Sequence, residues 1–188
     1  MNVLTEAHRV LWAESSAIRA VAGRLDTSFA DAARRMSEAR IVHVSGVGKS
    51  GHIARKIAGT LTSTGTPANF LHPVEALHGD LGIVDPSDVV VLISRSGECD
   101  EVIAFADALD VPIIALTGGL ESRLAYRANV VLDCHVQAEA CTTGLVPTCS
   151  TAASLAMGDA LAVVLMQIAK FGADKFKAGH PGGALGWT

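Results

Sequence analysis

A lysine, two serines and three glycines are packed into Ser45-Gly46-Val47-Gly48-Lys49-Ser50-Gly51, directly after the apolar run Ile41-Val42-His43-Val44. Backbone N–H groups in such a turn, with the positive end of a following helix, can face an anion, and Lys49 adds a full charge. The chemistry on offer is phosphate binding, and two phosphate motifs can be tested. A nucleoside-triphosphate loop needs glycine five residues before Gly48, where this chain has His43. The dinucleotide fingerprint G-x-G-x-x-G is met by Gly46, Gly48 and Gly51, but Ala68-Asn69-Phe70-Leu71-His72 lacks the acidic residue expected after the next strand. Two readings remain: an anion-binding turn not made for a nucleotide, or a tight turn that needs glycine only for packing.

Other stretches carry reactive side chains at similar junctions. Ser94-Arg95-Ser96-Gly97 follows an apolar run and could cradle an oxyanion with hydroxyls and N–H groups, or could simply cap the next helix. Glu98 and Glu101 stand three apart at the start of a predicted helix, on one face near its positive end, which alone accounts for at least one of them. Glu139 lies among small and apolar residues, as a general base would and as a buried structural carboxylate also would. His78-Gly79-Asp80 and His180-Pro181-Gly182-Gly183 set histidines in irregular backbone, whereas His43 and His52 read as structural. The histidines are too widely separated for a metal-ligand signature, so no metal is expected.

The elements that must position these groups follow from periodicity. Strands are predicted at Ile41–Val44, Ala68–Leu71, Asp88–Ile93, Pro112–Leu116 and Asn129–Leu132, each followed by a helical or loop stretch. The unbroken Val89-Val90-Val91-Leu92-Ile93 run suits a central strand buried on both faces. Such alternation predicts right-handed β-α-β units in a doubly wound parallel sheet, with ligands beyond the carboxyl ends of the strands. The first forty residues read as two helices, with Leu4, Val10, Leu11, Ile18, Val21 and Leu25 on an apolar stripe and Asp26 or Thr27 capping the second helix. Pro147 fits the start of a long apolar helix with Ser150 and Thr151 in its first turn.

Length suits one domain, residues 1–188, without linker or repeat. A net charge of −4 without a basic run argues against nucleic acid. Glu6 comes early and no uninterrupted apolar core follows, so no export signal is expected. The apolar stretch from Ala152 to Ala169 holds Asp159 near its middle, which a bilayer would penalise by about 2.5–3.5 kcal/mol. A buried helix, no membrane and a cytoplasmic location are expected. Cys99, Cys134, Cys141 and Cys149 show neither zinc spacing nor a C-x-x-C pair and are expected to be reduced.

The ordered blocks from Gly46-Val47-Gly48-Lys49-Ser50-Gly51-His52 through His78-Gly79-Asp80-Leu81-Gly82, Ser94-Arg95-Ser96-Gly97-Glu98, Glu139-Ala140-Cys141 and Met157-Gly158-Asp159 to His180-Pro181-Gly182-Gly183-Ala184-Leu185-Gly186 resemble a sugar isomerase (SIS) domain. Within that superfamily they are most similar to the D-arabinose-5-phosphate isomerases. The resemblance implies a three-layer α-β-α sandwich around a five-stranded parallel sheet of flavodoxin-like type, assembled as a homo-oligomer, usually a tetramer. It implies interconversion of D-ribulose 5-phosphate and D-arabinose 5-phosphate through an enediol, on the way to the eight-carbon acid Kdo of lipopolysaccharide or capsule, with no cofactor. By motif, Lys49, His78, Glu101, Glu139 and His180 match proposed catalytic positions, and Ser45, Ser94 and Ser96 match phosphate-holding ones. Gly46, Gly48, Gly97, Ser150 and Thr151 complete the expected substrate-binding set. In relatives the His-Pro-Gly-Gly histidine can come from a neighbouring subunit.

Three departures stand out. Longer relatives continue into paired CBS motifs, and with the chain stopping at Thr188 a short form without that regulation is expected. Arg95 replaces the more usual asparagine between the two serines. Cys99 stands where a hydroxyl residue is common. The competing expectations are another sugar-phosphate isomerase, such as a 6-phospho-3-hexuloisomerase, and a non-catalytic sugar-phosphate sensor.

Overall fold

The computed structural model describes residues 2–182. Two helices lead into the sheet: α1 (Val3–Ala22), capped by the Asn2 side chain, and α2 (Thr27–Glu38), whose cap is Asp26, accepting from Ser28 N. Then follow β1 (Val42–Gly46), α3 (Gly48–Ser63), β2 (Ala68–Phe70), α4 (Pro73–Leu77) and a 3-10 turn at Asp80–Ile83. The chain continues through β3 (Val89–Ser94), α5 (Asp100–Ala108), β4 (Ile113–Thr117), α6 (Arg123–Arg127), β5 (Val130–Asp133), α7 (Cys149–Ile168) and α8 (Ala173–Gly179). The strands form one parallel sheet in the order β2-β1-β3-β4-β5. All five predicted strands are present. The helix assigned to Pro147 starts two residues later, with Thr148 as its cap.

Alternation along the strands sorts the core into two layers. Val42, Val44, Val89, Val91, Ile93, Ile114 and Leu116 pack with α2, α3 and α7, while Val90, Leu92, Ile113 and Ala115 pack with α4, α5 and α6. The result is the expected three-layer sandwich. α7 is long and apolar enough to cross a membrane, but half of it is buried against its neighbours, and Asp159 pairs with Lys56 of α3. Along α1 the expected stripe is mostly uncovered: Val21 is buried, whereas Leu4, Leu11 and Ile18 face outward, joined by Trp12, which lies outside the expected stripe.

His43 lies fully buried in β1 with both ring nitrogens engaged, Nδ1 by Asn69 Oδ1 at 2.8 Å and Nε2 by Asp88 Oδ2 at 2.8 Å. Asp88 also accepts from Ile41 N, Asp85 N and Arg40. Burial opposes the charge on Asp88, but these donors outweigh it and hold the carboxyl below its ordinary range. The network ties the amino ends of β1, β2 and β3 together, so His43 is structural, as its place in mid-strand suggests.

Candidate active site

The sheet order reverses between β1 and β3, and their carboxyl ends carry the two glycine-rich turns singled out in the sequence. A cavity of about 190 Å³ opens there, lined by Val47, Lys49, Ser50, Arg95, Ser150 and Thr151, with Ile53, Ile93, Pro147 and Ser154 closing its floor.

Two helix N-termini flank this cavity and differ in what satisfies them. α3 begins after Val47, which offers no side-chain cap, and its first turn holds no acidic residue. The Gly48 backbone has φ of 59°, a left-handed conformation that favours glycine. The turn is also tight: a Cβ on Gly51 would sit 2.7 Å from the carbonyl oxygen of Gly46. Lys49 therefore stands exposed at the positive end of α3, where a cation costs about 0.3–1 kcal/mol, and it has no ion pair or hydrogen bond among the described residues. An anion placed here would meet free N–H groups and a lysine together.

The N-terminus of α7 is already occupied. The Glu139 side chain, fully buried, accepts from Thr148 N at 2.8 Å, Thr148 Oγ1 at 3.0 Å and Ser150 N at 3.2 Å, and also from Ser150 Oγ. Arg95 Nε approaches Oε1, the oxygen that also takes the Ser150 hydroxyl, at 3.2 Å, while the other three donors share Oε2. Burial disfavours the charge on Glu139, yet the Ser150 and Thr148 donors overcome it and hold the carboxyl below its ordinary range. Ser150 and Thr151 line the cavity as expected, but their hydroxyl protons point inward, to Glu139 and to Thr148 O. Among the described residues Arg95 engages Glu139 through Nε alone, and its side chain is half exposed. Its side chain also borders a neighbouring cavity of about 470 Å³ formed with Ser96, Gly118, Gly119 and His135.

The remaining predicted residues fall elsewhere. By strand alternation Ser45 and Ser94 project to the α4–α5 side of the sheet edge, opposite the cavity. Ser45 Oγ is buried without a hydrogen-bond partner among the described residues, an uncommon state for a hydroxyl. Ser94 Oγ accepts from Gly97 N and Ser96 Oγ from Glu98 N, so the N–H groups expected to form a cradle are taken by the loop's own serines. Glu98 precedes α5 and binds Arg123 N and Nε, an ion pair joining the loop after β3 to the start of α6. Glu101 sits in the first turn of α5 with Cys99 Sγ donating to it at 2.9 Å. His78 caps the C-terminus of α4 and is exposed, next to Gly79 with φ of 132°.

His180 follows α8, beyond the end of α7 that lies away from the site. Its Nδ1 meets Phe176 O at 2.7 Å and it does not line the cavity. Phe171, at the start of this segment, packs on Gly65 past the far end of α3. The last part of the His-Pro-Gly-Gly block, from position 183 on, lies outside the described residues.

Two roles have no signal in the sequence. Arg95 finds its partner, Glu139, beyond two further strands of the sheet. His72 caps α4, its Nδ1 accepting from Val74 N. The β3 and β4 loops also lock together: a Cβ on Gly119 would overlap the Ser96 carbonyl oxygen. Gly119→Ala is accordingly expected to cost about 1–3 kcal/mol of stability through backbone displacement, seen as a lower urea midpoint with an unchanged slope.

The SIS domain family matches residues 35–164. Arabinose 5-phosphate isomerase KdsD of Shigella flexneri is 55% identical over 148 residues, which is 77% of this chain and 45% of that protein. Arabinose 5-phosphate isomerase KdsD of Pseudomonas aeruginosa is 42% identical over 191 residues, 99% of this chain and 58% of that one. The chain thus spans about half the length of these curated relatives. A solved structure of Escherichia coli CFT073 c3406 in complex with arabinose 5-phosphate is 36% identical, with a TM-score of 0.89, and the match covers 96% of this chain and all of that one.

Proposed function

The chain belongs to the SIS domain family, and from that premise we propose that it interconverts D-ribulose 5-phosphate and D-arabinose 5-phosphate through an enediol. One observation carries the reading: an uncapped helix N-terminus, Lys49 and Arg95 converge on a single cavity at the sheet's switch point, a site suited to a phosphorylated ligand. The resemblance to proteins named arabinose 5-phosphate isomerase, and to one complexed with that sugar phosphate, supplies the sugar. The hexuloisomerase and sensor alternatives gain no support from these comparisons.

Isomerisation moves a proton between C1 and C2 while donors stabilise two oxygens, and positioned acid–base groups supply about 10²–10⁴-fold of rate. Glu139 is held ionised by so many donors that it is a weak proton acceptor, and we assign it to positioning Arg95 and the first turn of α7. The proton-transfer role then falls to a histidine, His180 or His78, with Lys49 polarising a substrate oxygen and Glu101 orienting it. Ser45, Ser94 and Ser96, with Gly46, Gly48 and Gly97 shaping the turns, offer further contacts on the other side of the edge.

The proposal extends to one SIS domain over residues 1–188, acting as a cytoplasmic homo-oligomer, a tetramer, in Kdo synthesis without a cofactor. The uncovered apolar residues of α1 give such an assembly a surface, and a neighbouring chain offers a route for His180 to a site. Purified protein supplied with D-ribulose 5-phosphate is expected to form D-arabinose 5-phosphate, followed by NMR. Formation of no aldose from this or a related ketose phosphate refutes the isomerase reading.

A further inference from the structure

Cys99 stands where a hydroxyl is expected, and its thiol is not idle. Sγ lies 2.9 Å from Glu101 Oε2, and Cys99 is the only side chain among the described residues that hydrogen-bonds this carboxylate. The thiol is partly buried at the cap position of α5, where it packs against the Val90–Leu92 side of the core. Its place is therefore fixed by the sheet, whereas Glu101 is exposed in the first turn of the helix and would otherwise be free to rotate. We infer that Cys99 is a positioning residue, holding the Glu101 carboxylate in place over the first turn of α5 through an S–H···O bond.

The electrostatics agree on both partners. The thiol hydrogen bond is the chief influence drawing the Glu101 carboxyl below its ordinary range, followed by a backbone N–H of the same turn. Burial, followed by the hydrogen bond to Glu101, pushes the Cys99 thiol up. The titratable groups near the pair include Asp100, which opposes ionisation of Glu101, and the imidazole of His72. A thiol is a weaker donor than a hydroxyl, but burial and the neighbouring carboxylate keep the Cys99 thiol protonated at neutral pH, so it remains a donor to Glu101.

This inference rests on the isomerase reading for its consequence and for the first arm of its test, but not for the second. Removing the donor raises the Glu101 pKa, so as pH falls the activity that needs the carboxylate is lost sooner. Cys99→Ala is expected to shift the acid limb of kcat/KM upward and to lose about fivefold of kcat/KM on the acid side of neutrality, with Cys99→Ser restoring most of it. The second arm needs no substrate. With Glu101→Gln the thiol loses its anionic acceptor, and site-resolved alkylation of Cys99 by iodoacetamide at mildly alkaline pH is expected to run about threefold to tenfold faster than in the unsubstituted protein. Equal alkylation in the two proteins, or superimposable pH profiles for Cys99→Ala and the unsubstituted protein, overturns the inference. Absence of isomerisation by the unsubstituted protein overturns the functional reading instead, and faster alkylation in Glu101→Gln would still uphold the contact.

Discussion

Glu139→Ala is expected to lose both stability and turnover. The carboxylate satisfies two backbone N–H groups and two hydroxyls at the start of α7, and Arg95 leans on it from the β3 loop. Truncation leaves these donors facing a void, at a cost of about 3 kcal/mol, the upper end for buried polar groups without partners. Denaturant unfolding reads that loss directly. Glu139→Gln keeps the shape but turns an amide N–H toward donors, so it too is expected to be destabilised. The pH dependence has a defined sign. Because the folded carboxyl titrates below its ordinary range, its contribution is complete above about pH 4.3, the unfolded value, and is lost as pH falls through the lower folded value. In Glu139→Gln this part of the acid sensitivity should vanish, and an unchanged acid-unfolding profile would contradict the role given to the residue.

Lys49→Met is expected to separate the two properties that Glu139 joins. The lysine is exposed, makes no ion pair among the described residues, and stands at the helix end where positive charge is unfavourable. Its removal should raise stability by about 0.3–1 kcal/mol. Turnover should fall about 10²–10³-fold, the usual effect of deleting one group that stabilises charge in the transition state. Thermal unfolding and steady-state kinetics on the same preparation test both signs. A variant that turns over normally would remove Lys49 from the site, whatever its stability.

Much of the frame was legible in the chain. The Val89–Ile93 run, the glycine turn at its neighbour's end and the alternation of strands with helices were enough to set the sheet and locate its ligand-bearing edge. Local signals also placed His43 inside a strand, where its buried partners now account for it. What pattern could not supply was pairing between distant loops. Glu98 read as a helix-start carboxylate, but its partner is Arg123 at the start of α6, and nothing near either residue marks the other. The environment of Glu139 was suggested by its small apolar neighbours, whereas its donors lie past a loop whose path depends on β5 and α7 packing. Motif order could not reveal that Ser45 and Ser94 face one side of the sheet while Lys49 and Arg95 border the cavity on the other. That division follows from strand register and the turn beyond it.

The lock between Gly119 and Ser96 bears on how this scaffold could be given a different sugar preference. With the two loop backbones in contact, and Ser94 and Ser96 each committed to a backbone N–H, most of the rim offers a designer no room for substitution. Arg95 is the exception: its backbone is fixed by the same loop, but its side chain is half exposed and reaches two adjoining cavities. A library that varies position 95 and leaves its neighbours untouched would search ligand size and charge while keeping the fold intact.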